Sequence, residues 1–396
     1  MIDFPTIKVV EGSVEVVVPD PAHYMHGSVY EPSLAPVFYN PKMDFNRDVA
    51  VVIIQTYQTF LGRELVICEP LTGCGIRAIR FVKEVNGVKE VIASDIDEKA
   101  VALANLNAEL NNVKGRLKIL HEEANKLLCE HSAPGRRFDV IDVDPFGSPM
   151  PFIDTALRAL KHGGLLCATA TDVAPLCGVH VEACRRKYGA QPLRSEYCHE
   201  VATRILLAAI AKQAAILEMG VKPILSYSTD HYVRVYLVVE KGARKADQSL
   251  ENLGYILHCF NCLNRKVLKK FLVEERDLKC DNCSSTMHVA GPLWCGTLHD
   301  MEFLRKALDL ALEKTLSKAN RVFKLISLAI EEACAPPTYY VLDEHCRKLK
   351  RSVPKRESVI AKLREFGFEA YPTLFNTKGV KTNASVVDVE KAIKLS

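Results

Sequence analysis

Four cysteines in the second part of this chain have the spacing of a metal site. Cys259-x2-Cys262 and Cys280-x2-Cys283 are two C-x-x-C knuckles separated by 17 residues. Two thiolates from each knuckle make a closed tetrahedral set, so the expected ligand is structural zinc with no open position for catalysis. His258 and His288 flank the knuckles and could replace one sulfur. The plainer alternative is four unconnected core thiols. A second constellation lies earlier. Glu69-Pro70-Leu71-Thr72-Gly73-Cys74-Gly75 joins a carboxylate to two glycines, which let a backbone turn sharply and approach a ligand closely. The third glycine of a dinucleotide-binding loop is absent, which argues against pyrophosphate. Asp95 follows Gly75 by 20 residues, then come Glu123-Ala124 and Asp142-Val143-Asp144-Pro145-Phe146-Gly147. A carboxylate at Asp95 can accept hydrogen bonds from both hydroxyls of a ribose.

The elements that must position these residues can be read from periodicity. Residues 7–18 alternate around Gly12 as a β-hairpin, and residues 19–46 form an irregular lead-in. A long apolar helix covers 48–60, with Asn46 or Asp48 as its N-cap. Strands are expected at 65–68, 90–94, 117–121, 138–143, 165–169, 222–226 and 233–240, with helices at 76–84, 98–111, 125–130, 151–160 and 195–219. Alternating strands and helices imply an α/β fold with a mostly parallel sheet, and a ligand at the carboxyl ends of its strands. Beyond Gly242 the pattern changes. The cysteine segment occupies 255–295 and two helices fill 300–333. A helix–turn–helix with a strand pair spans 338–396, in a winged-helix-like order.

Composition limits the possible classes. With 48% hydrophobic and 25% charged residues in a 396-residue chain, disordered, collagenous and small disulfide-scaffold proteins are excluded. No apolar run approaches the roughly 18 residues of a membrane span, and no basic segment precedes an apolar run at the N-terminus. A cytoplasmic protein with no membrane partner is therefore expected, with no obligate protein partner. The net charge of +4 conceals an asymmetry. Residues 1–240 hold 25 basic and 29 acidic side chains, whereas 241–396 hold 27 and 19. A basic second part suits a polyanion. Its densest stretch is Arg347, Lys348, Lys350, Arg351, Lys355 and Arg356, suited to phosphates but equally to a solvated helix face. Of the 14 cysteines, the ten outside the knuckles read as small core hydrophobes.

The short acidic-x-x-x-Gly-x-Gly loop resembles the first motif of class I methyltransferases, which bind S-adenosylmethionine. Asp144-Pro145-Phe146 resembles the acceptor motif of amino methyltransferases. The chemistry explains the motif. An exocyclic amino group on a base is a poor nucleophile because its lone pair delocalises into the ring. The Asp144 carboxylate and the carbonyl of Pro145 or Phe146 can accept its two N–H protons, aiming the lone pair at the methyl group and offsetting the charge that grows on nitrogen. The Phe146 ring can stack on an extruded base.

More specifically, the chain resembles the tRNA (guanine-26, N2)-dimethyltransferases of archaea and eukaryotes. The likeness rests on Phe38-Tyr39-Asn40-Pro41, Asn46-Arg47-Asp48, Gly75-Ile76-Arg77-Ala78-Ile79-Arg80-Phe81, Asp144-Pro145-Phe146-Gly147-Ser148-Pro149, Ala170-Thr171-Asp172 and Pro192-Leu193-Arg194. The resemblance implies a Rossmann-like methyltransferase domain over 1–240 and a smaller basic α+β tRNA-binding domain over 241–396 with a zinc-ribbon-like insert. It implies an enzyme that methylates N2 of a guanine in tRNA, usually twice. Arg47, Arg77, Gly73, Gly75, Asp95, Glu123 and Ala124 would then contact S-adenosylmethionine. Asp144, Pro145 and Phe146 would be catalytic, with Phe38 beside the guanine and Arg347, Lys348 and Arg351 on tRNA. Without the resemblance, the residues reach only an amino methyltransferase with a basic appendage. N6-adenine or protein-glutamine amide methylation, or RNA binding by a non-catalytic methyltransferase fold, stay open at that level.

Overall fold

The computed structural model describes residues 2–27 and 29–396. Seven strands form the main sheet: β1 (Leu65–Glu69), β2 (Val88–Asp95), β3 (Leu117–His121), β4 (Phe138–Val143), β5 (Leu160–Ala170), β6 (Met219–Thr229) and β7 (Tyr232–Lys241). Their order is β3-β2-β1-β4-β5-β7-β6. Strand β1 pairs in parallel with β2 and β4, and β2 with β3, while β6 and β7 form an antiparallel hairpin. All six residues of β4, FDVIDV, are buried, as expected of a central parallel strand covered on both faces. The chain winds outward from β1 through β2 to β3, then returns to place β4 on the other side of β1. That reversal opens a crevice at the carboxyl ends of β1 and β4, where Glu69 and Asp144 lie.

Two compact units can be distinguished: residues 1–144, 154–167 and 305–326, and residues 145–153, 168–304 and 327–396. The first holds α1 (Asp44–Leu61), α2 (Ile76–Glu84), α3 (Glu98–Leu110), α4 (Ala124–Glu130) and the hairpin Thr6–Glu11/Val14–Pro19, whose second strand packs against α2 and α3. The hairpin tip needs glycine. Gly12 has φ +58°, and a Cβ there would run into Glu84 Oε1 and meet Arg80 Nη2 at 2.8 Å. The second unit carries a three-stranded antiparallel sheet, Arg265–Leu268, Leu253–His258 and Val-containing His288–Trp294, that frames the knuckle cysteines. Its end is a small sheet (Tyr340–Val341, Gly379–Thr382, Ala370–Pro372) with helices Leu342–Leu349, Arg356–Glu365 and Val386–Lys394 closed over Leu342, Val359, Leu363, Val380 and Ile393.

Several local expectations are corrected. Helix α1 begins at Asp44, and neither Asn46 nor Asp48 caps it. Both are buried inside the helix and spend their side chains on arginines of α2. The capping asparagine is Asn40, which accepts from Lys42 N at 3.0 Å and starts the 3-10 turn ahead of α1. Helices Val181–Tyr188, Ala243–Leu250 and Val386–Lys394 were not expected from periodicity. Among the ten scattered cysteines, Cys129 and Cys334 are exposed and Cys198 is half-buried rather than core. Among the described residues, no helix is long and apolar enough to cross a membrane.

Candidate active site

The crevice at the ends of β1 and β4 is lined by Phe38, Tyr39, Asn40, Arg47, Glu69, Leu71, Thr72, Gly73, Cys74, Ile76, Arg77 and Asp144. Its floor is the glycine turn. Gly73 (φ +55°) and Gly75 (φ +80°) both need the left-handed region, and a Cβ on Gly75 would lie 2.9 Å from the Ala104 Cβ. Asp95, at the end of β2, fixes this turn. Its Oδ2 accepts from Gly73 N at 2.8 Å and its Oδ1 from Asp97 N at 3.0 Å. A carboxylate has about four lone-pair positions, so both oxygens can accept again. Glu123 caps α4 through Asn125 N and Lys126 N, both at 2.9 Å, with Ala124 buried behind it.

Arg77 is the hub of the site. It is 4% exposed, and its guanidinium meets three carboxylates. Nη2 donates to Asp144 Oδ2, Nη1 lies 3.5 Å from Asp142 Oδ2, and Nε lies 3.5 Å from Glu69 Oε1. Nη1 also donates to Asn46 Oδ1 at 2.9 Å. One cation among three carboxylates leaves a surplus of negative charge. The group that yields is Glu69: burial pushes its carboxyl up to about 8, against the pull of Arg77. Its Oε2 accepts from Thr72 Oγ1 at 2.7 Å and from Ala78 N at 3.0 Å, which anchors the first turn of α2. Asp144 is the carboxylate that reaches the surface, with about 15% of its side chain accessible.

Arg47 lines the same cavity. Glu11 grips it with two hydrogen bonds of 2.6 Å, to Nε and Nη2, and Nη2 also reaches the Asn40 carbonyl at 3.2 Å. Glu11 accepts from Arg80 Nη1 as well, at 2.9 Å, and Arg80 continues to Asp48 and Glu84. The hairpin carboxylate thereby aims an arginine of the cavity. Past Asp144 the chain turns at Pro145, which is buried, and Phe146, whose side chain is 68% exposed. Within the second unit, Gly147 is clasped by Thr171 through Gly147 N to Oγ1 (2.6 Å) and Thr171 N to the Gly147 carbonyl (2.9 Å).

The four knuckle cysteines converge. Their sulfurs lie within 4.8 Å of one another, with Cys259–Cys283 at 3.4 Å and Cys262–Cys280 at 3.5 Å. Zinc–sulfur bonds of about 2.3 Å in a tetrahedron separate sulfurs by about 3.8 Å, so the set fits zinc with little adjustment. The knuckles repeat one backbone pattern. Cys259 N bonds the Asn264 carbonyl (2.9 Å) and Cys280 N the Ser285 carbonyl (2.9 Å), with Leu263 and Ser284 left-handed at φ +63° and +60°. Asn261 and Asn264 donate to sulfurs, and hydrogen bonds from Ser285 bring the Cys283 thiol down to about 5. Neither histidine joins the four sulfurs: His258 is buried beside Tyr197 and Phe260, and His288 is exposed.

Residues 12–394 match the family described as N2,N2-dimethylguanosine tRNA methyltransferase. This chain belongs to that family. The tRNA (guanine(26)-N(2))-dimethyltransferase of Methanothermobacter thermautotrophicus is 40% identical over 387 residues, covering 98% of both chains. The tRNA (guanine(26)-N(2)/guanine(27)-N(2))-dimethyltransferase of Aquifex aeolicus is 37% identical, covering 97% of this chain and 95% of its own. A solved structure of Trm1 from Pyrococcus horikoshii in complex with S-adenosyl-L-methionine superposes with a TM-score of 0.85 at 37% identity, over 98% of this chain and 99% of that one.

As a member of the N2,N2-dimethylguanosine tRNA methyltransferase family, the chain gathers Phe38, Arg47, Gly73, Arg77 and Asp144 around one cavity, while Gly75, Asp95, Glu123, Ala124, Pro145 and Phe146 are not among its lining residues. The basic stretch is partly spent inside its own unit. Arg347 pairs with Glu344 at 2.9 Å, Lys348 with Glu390 at 2.9 Å, and Arg351 donates to the Lys394 carbonyl at 2.7 Å. Lys350 and Lys355 are exposed and have no ion pair among the described residues. Sequence reading missed Glu11, Asn46, Glu69 and Asp142 as site residues. Glu69 lay in the acidic loop, and Asn46 and Asp142 lay inside motifs read for their neighbours, but nothing local marked Glu11.

Proposed function

We propose that this chain transfers methyl groups from S-adenosylmethionine to the exocyclic N2 of guanine 26 in tRNA, giving N2,N2-dimethylguanosine. The observation that carries this reading is the position of Asp144. It is a partly accessible carboxylate at the end of a central strand, on the same cavity as the glycine turn, Arg47 and Arg77. When bound, S-adenosylmethionine supplies a methyl group made electrophilic by its sulfonium. Asp95 would hold the ribose hydroxyls, Glu123 and Ala124 would flank the adenine, and Arg47 would meet the carboxylate of the methionine part. Asp144 and the carbonyl of Pro145 or Phe146 would accept the two N–H protons of N2, orienting its lone pair. Arg77 keeps Asp144 paired with a cation, so that it serves as an acceptor. The proton released after transfer leaves through Asp144 or water. Phe146 would stack on the guanine once that base has left its own stack, with Phe38 nearby.

The basic part would grip tRNA phosphates through Arg347, Lys348 and Arg351, and Cys259, Cys262, Cys280 and Cys283 would hold a structural zinc ion. The test is Asp144→Ala with labelled S-adenosylmethionine and a tRNA transcript. Methylation should vanish while tRNA still binds. Retained turnover overturns the role given to Asp144.

A further inference from the structure

A second group of soft donors lies outside the knuckle. Cys177 caps the short helix Val173–Leu176, and Cys198 and His199 open the helix Cys198–Ile216. One donor atom from each lies within 4.8 Å of the other two. Cys177 Sγ is 3.7 Å from His199 Nδ1, and Ser228 Oγ is 3.4 Å from that same nitrogen. A tetrahedral zinc ion with bonds of about 2.3 Å to sulfur and about 2.0 Å to nitrogen separates those two donors by roughly 3.5 Å. The observed spacing is within about 0.2 Å of that value.

The backbone fixes this arrangement. Cys177 N bonds the Val173 carbonyl at 2.8 Å. Gly178 (φ +88°) packs so closely that a Cβ would meet Arg194 N at 2.8 Å, which holds the Cys177 turn against the segment leading to Cys198. Ser195 N then bonds the Leu193 carbonyl at 3.0 Å and Cys198 N the Ser195 carbonyl at 3.1 Å. Cys177 is buried, Cys198 half-buried and His199 exposed, so the cluster has a protected interior and an open side for entry. A thiol pair destined only for a disulfide has no use for an imidazole nitrogen facing it, whereas two sulfurs and an imidazole form a donor set suited to zinc.

We propose that Cys177, Cys198 and His199 bind a second divalent ion of the zinc class, with Ser228 or water in the fourth position. Binding releases the two thiol protons to solvent and involves no change of oxidation state. The ion staples the turn after Val173–Leu176 to the start of the long helix. The helix Val173–Leu176 itself directly follows Thr171, which clasps Gly147, and Asp172, whose Oδ1 accepts from Tyr188 Oη at 2.5 Å. The site is therefore structural and braces the loop carrying Phe146.

The test is metal content of the full chain after reconstitution with excess zinc and desalting. About two zinc ions per chain are expected, falling to about one in Cys177→Ser and to about one in the Cys259→Ser/Cys262→Ser double variant. About one ion in the unsubstituted chain, unchanged by Cys177→Ser, overturns the proposal. Should Cys177→Ser fail to fold, alkylation of the unsubstituted protein decides. Cys177 and Cys198 should resist labelling until a chelator is added. Immediate labelling of Cys198 regardless of chelator, or a Cys177–Cys198 disulfide in peptide maps of zinc-loaded protein, overturns it as well.

Discussion

Arg77→Met isolates the charge arrangement at the heart of the site. The substitution keeps an unbranched side chain but removes the guanidinium set against Glu69, Asp142 and Asp144. The 3.5 Å contact with Asp142 is worth about 5 kcal/mol at an effective dielectric near 20, before desolvation is subtracted. Breaking a buried pair by deleting one partner typically costs about 3–5 kcal/mol, because the other charge stays buried. That range is the expected loss at pH 8. The pH dependence has a definite sign. Without Arg77, the Glu69 carboxyl, already pushed up to about 8 in the fold, rises further above its unfolded value near 4. The folded variant then holds more protons than its unfolded chain, so its stability falls as pH rises above about 4. The penalty relative to the unsubstituted protein should be largest at pH 8 and smaller at pH 5. Urea unfolding followed by circular dichroism at both pH values measures it. A loss under about 1 kcal/mol at pH 8, or an equal loss at the two pH values, refutes the reasoning.

Three further outcomes follow from particular contacts. Glu11→Gln weakens the two 2.6 Å charge-assisted bonds that aim Arg47. It should raise KM for S-adenosylmethionine about tenfold with kcat nearly unchanged, as steady-state kinetics would report, and an unchanged KM argues against the aiming role. Lys350→Glu/Lys355→Glu should weaken tRNA binding and lower the slope of log affinity against log salt by about 1 per lost phosphate contact, with filter binding at several salt concentrations as the check. Zinc removal by a chelator should strip hydrogen-exchange protection from residues 253–294 and leave β1 and β4 protected. Persistent protection there contradicts a metal-dependent knuckle.

The sheet was legible because its strands are short apolar runs separated by glycine turns and amphipathic helices. FDVIDV reads as a buried strand with no tertiary information, and the helix after Gly75 shows a buried face in IRAIRFVKE. The helix Val181–Tyr188 escaped notice because only Cys184 and Tyr188 are buried in it, too few for a periodic signal. Val386–Lys394 did carry a readable start: Ser385 accepts from Asp388 N at 3.2 Å. At the site, the glycine loop, Asp95 and Asp144 were visible as motifs on successive strand ends. Their partners were not. Glu11 lies 36 residues before Arg47 in an alternating hairpin and looks like an ordinary surface carboxylate. Asn46 and Asp48 have the types of helix caps, but α2 supplies two buried arginines that claim them. Local propensity cannot reveal such a pairing, since the cost of leaving Arg77 and Arg80 unpaired in the interior decides it.

The central claim concerns one atom on one base. An unmodified tRNA transcript incubated with the protein and S-adenosylmethionine, digested and mapped by mass, reports base, position and methyl count together. Two methyl groups should be added on guanine 26, and none when that guanine is replaced by adenine or when Asp144 is replaced by alanine. Methylation of an adenine, of a ring nitrogen of guanine, or of the replaced transcript at the same level contradicts it.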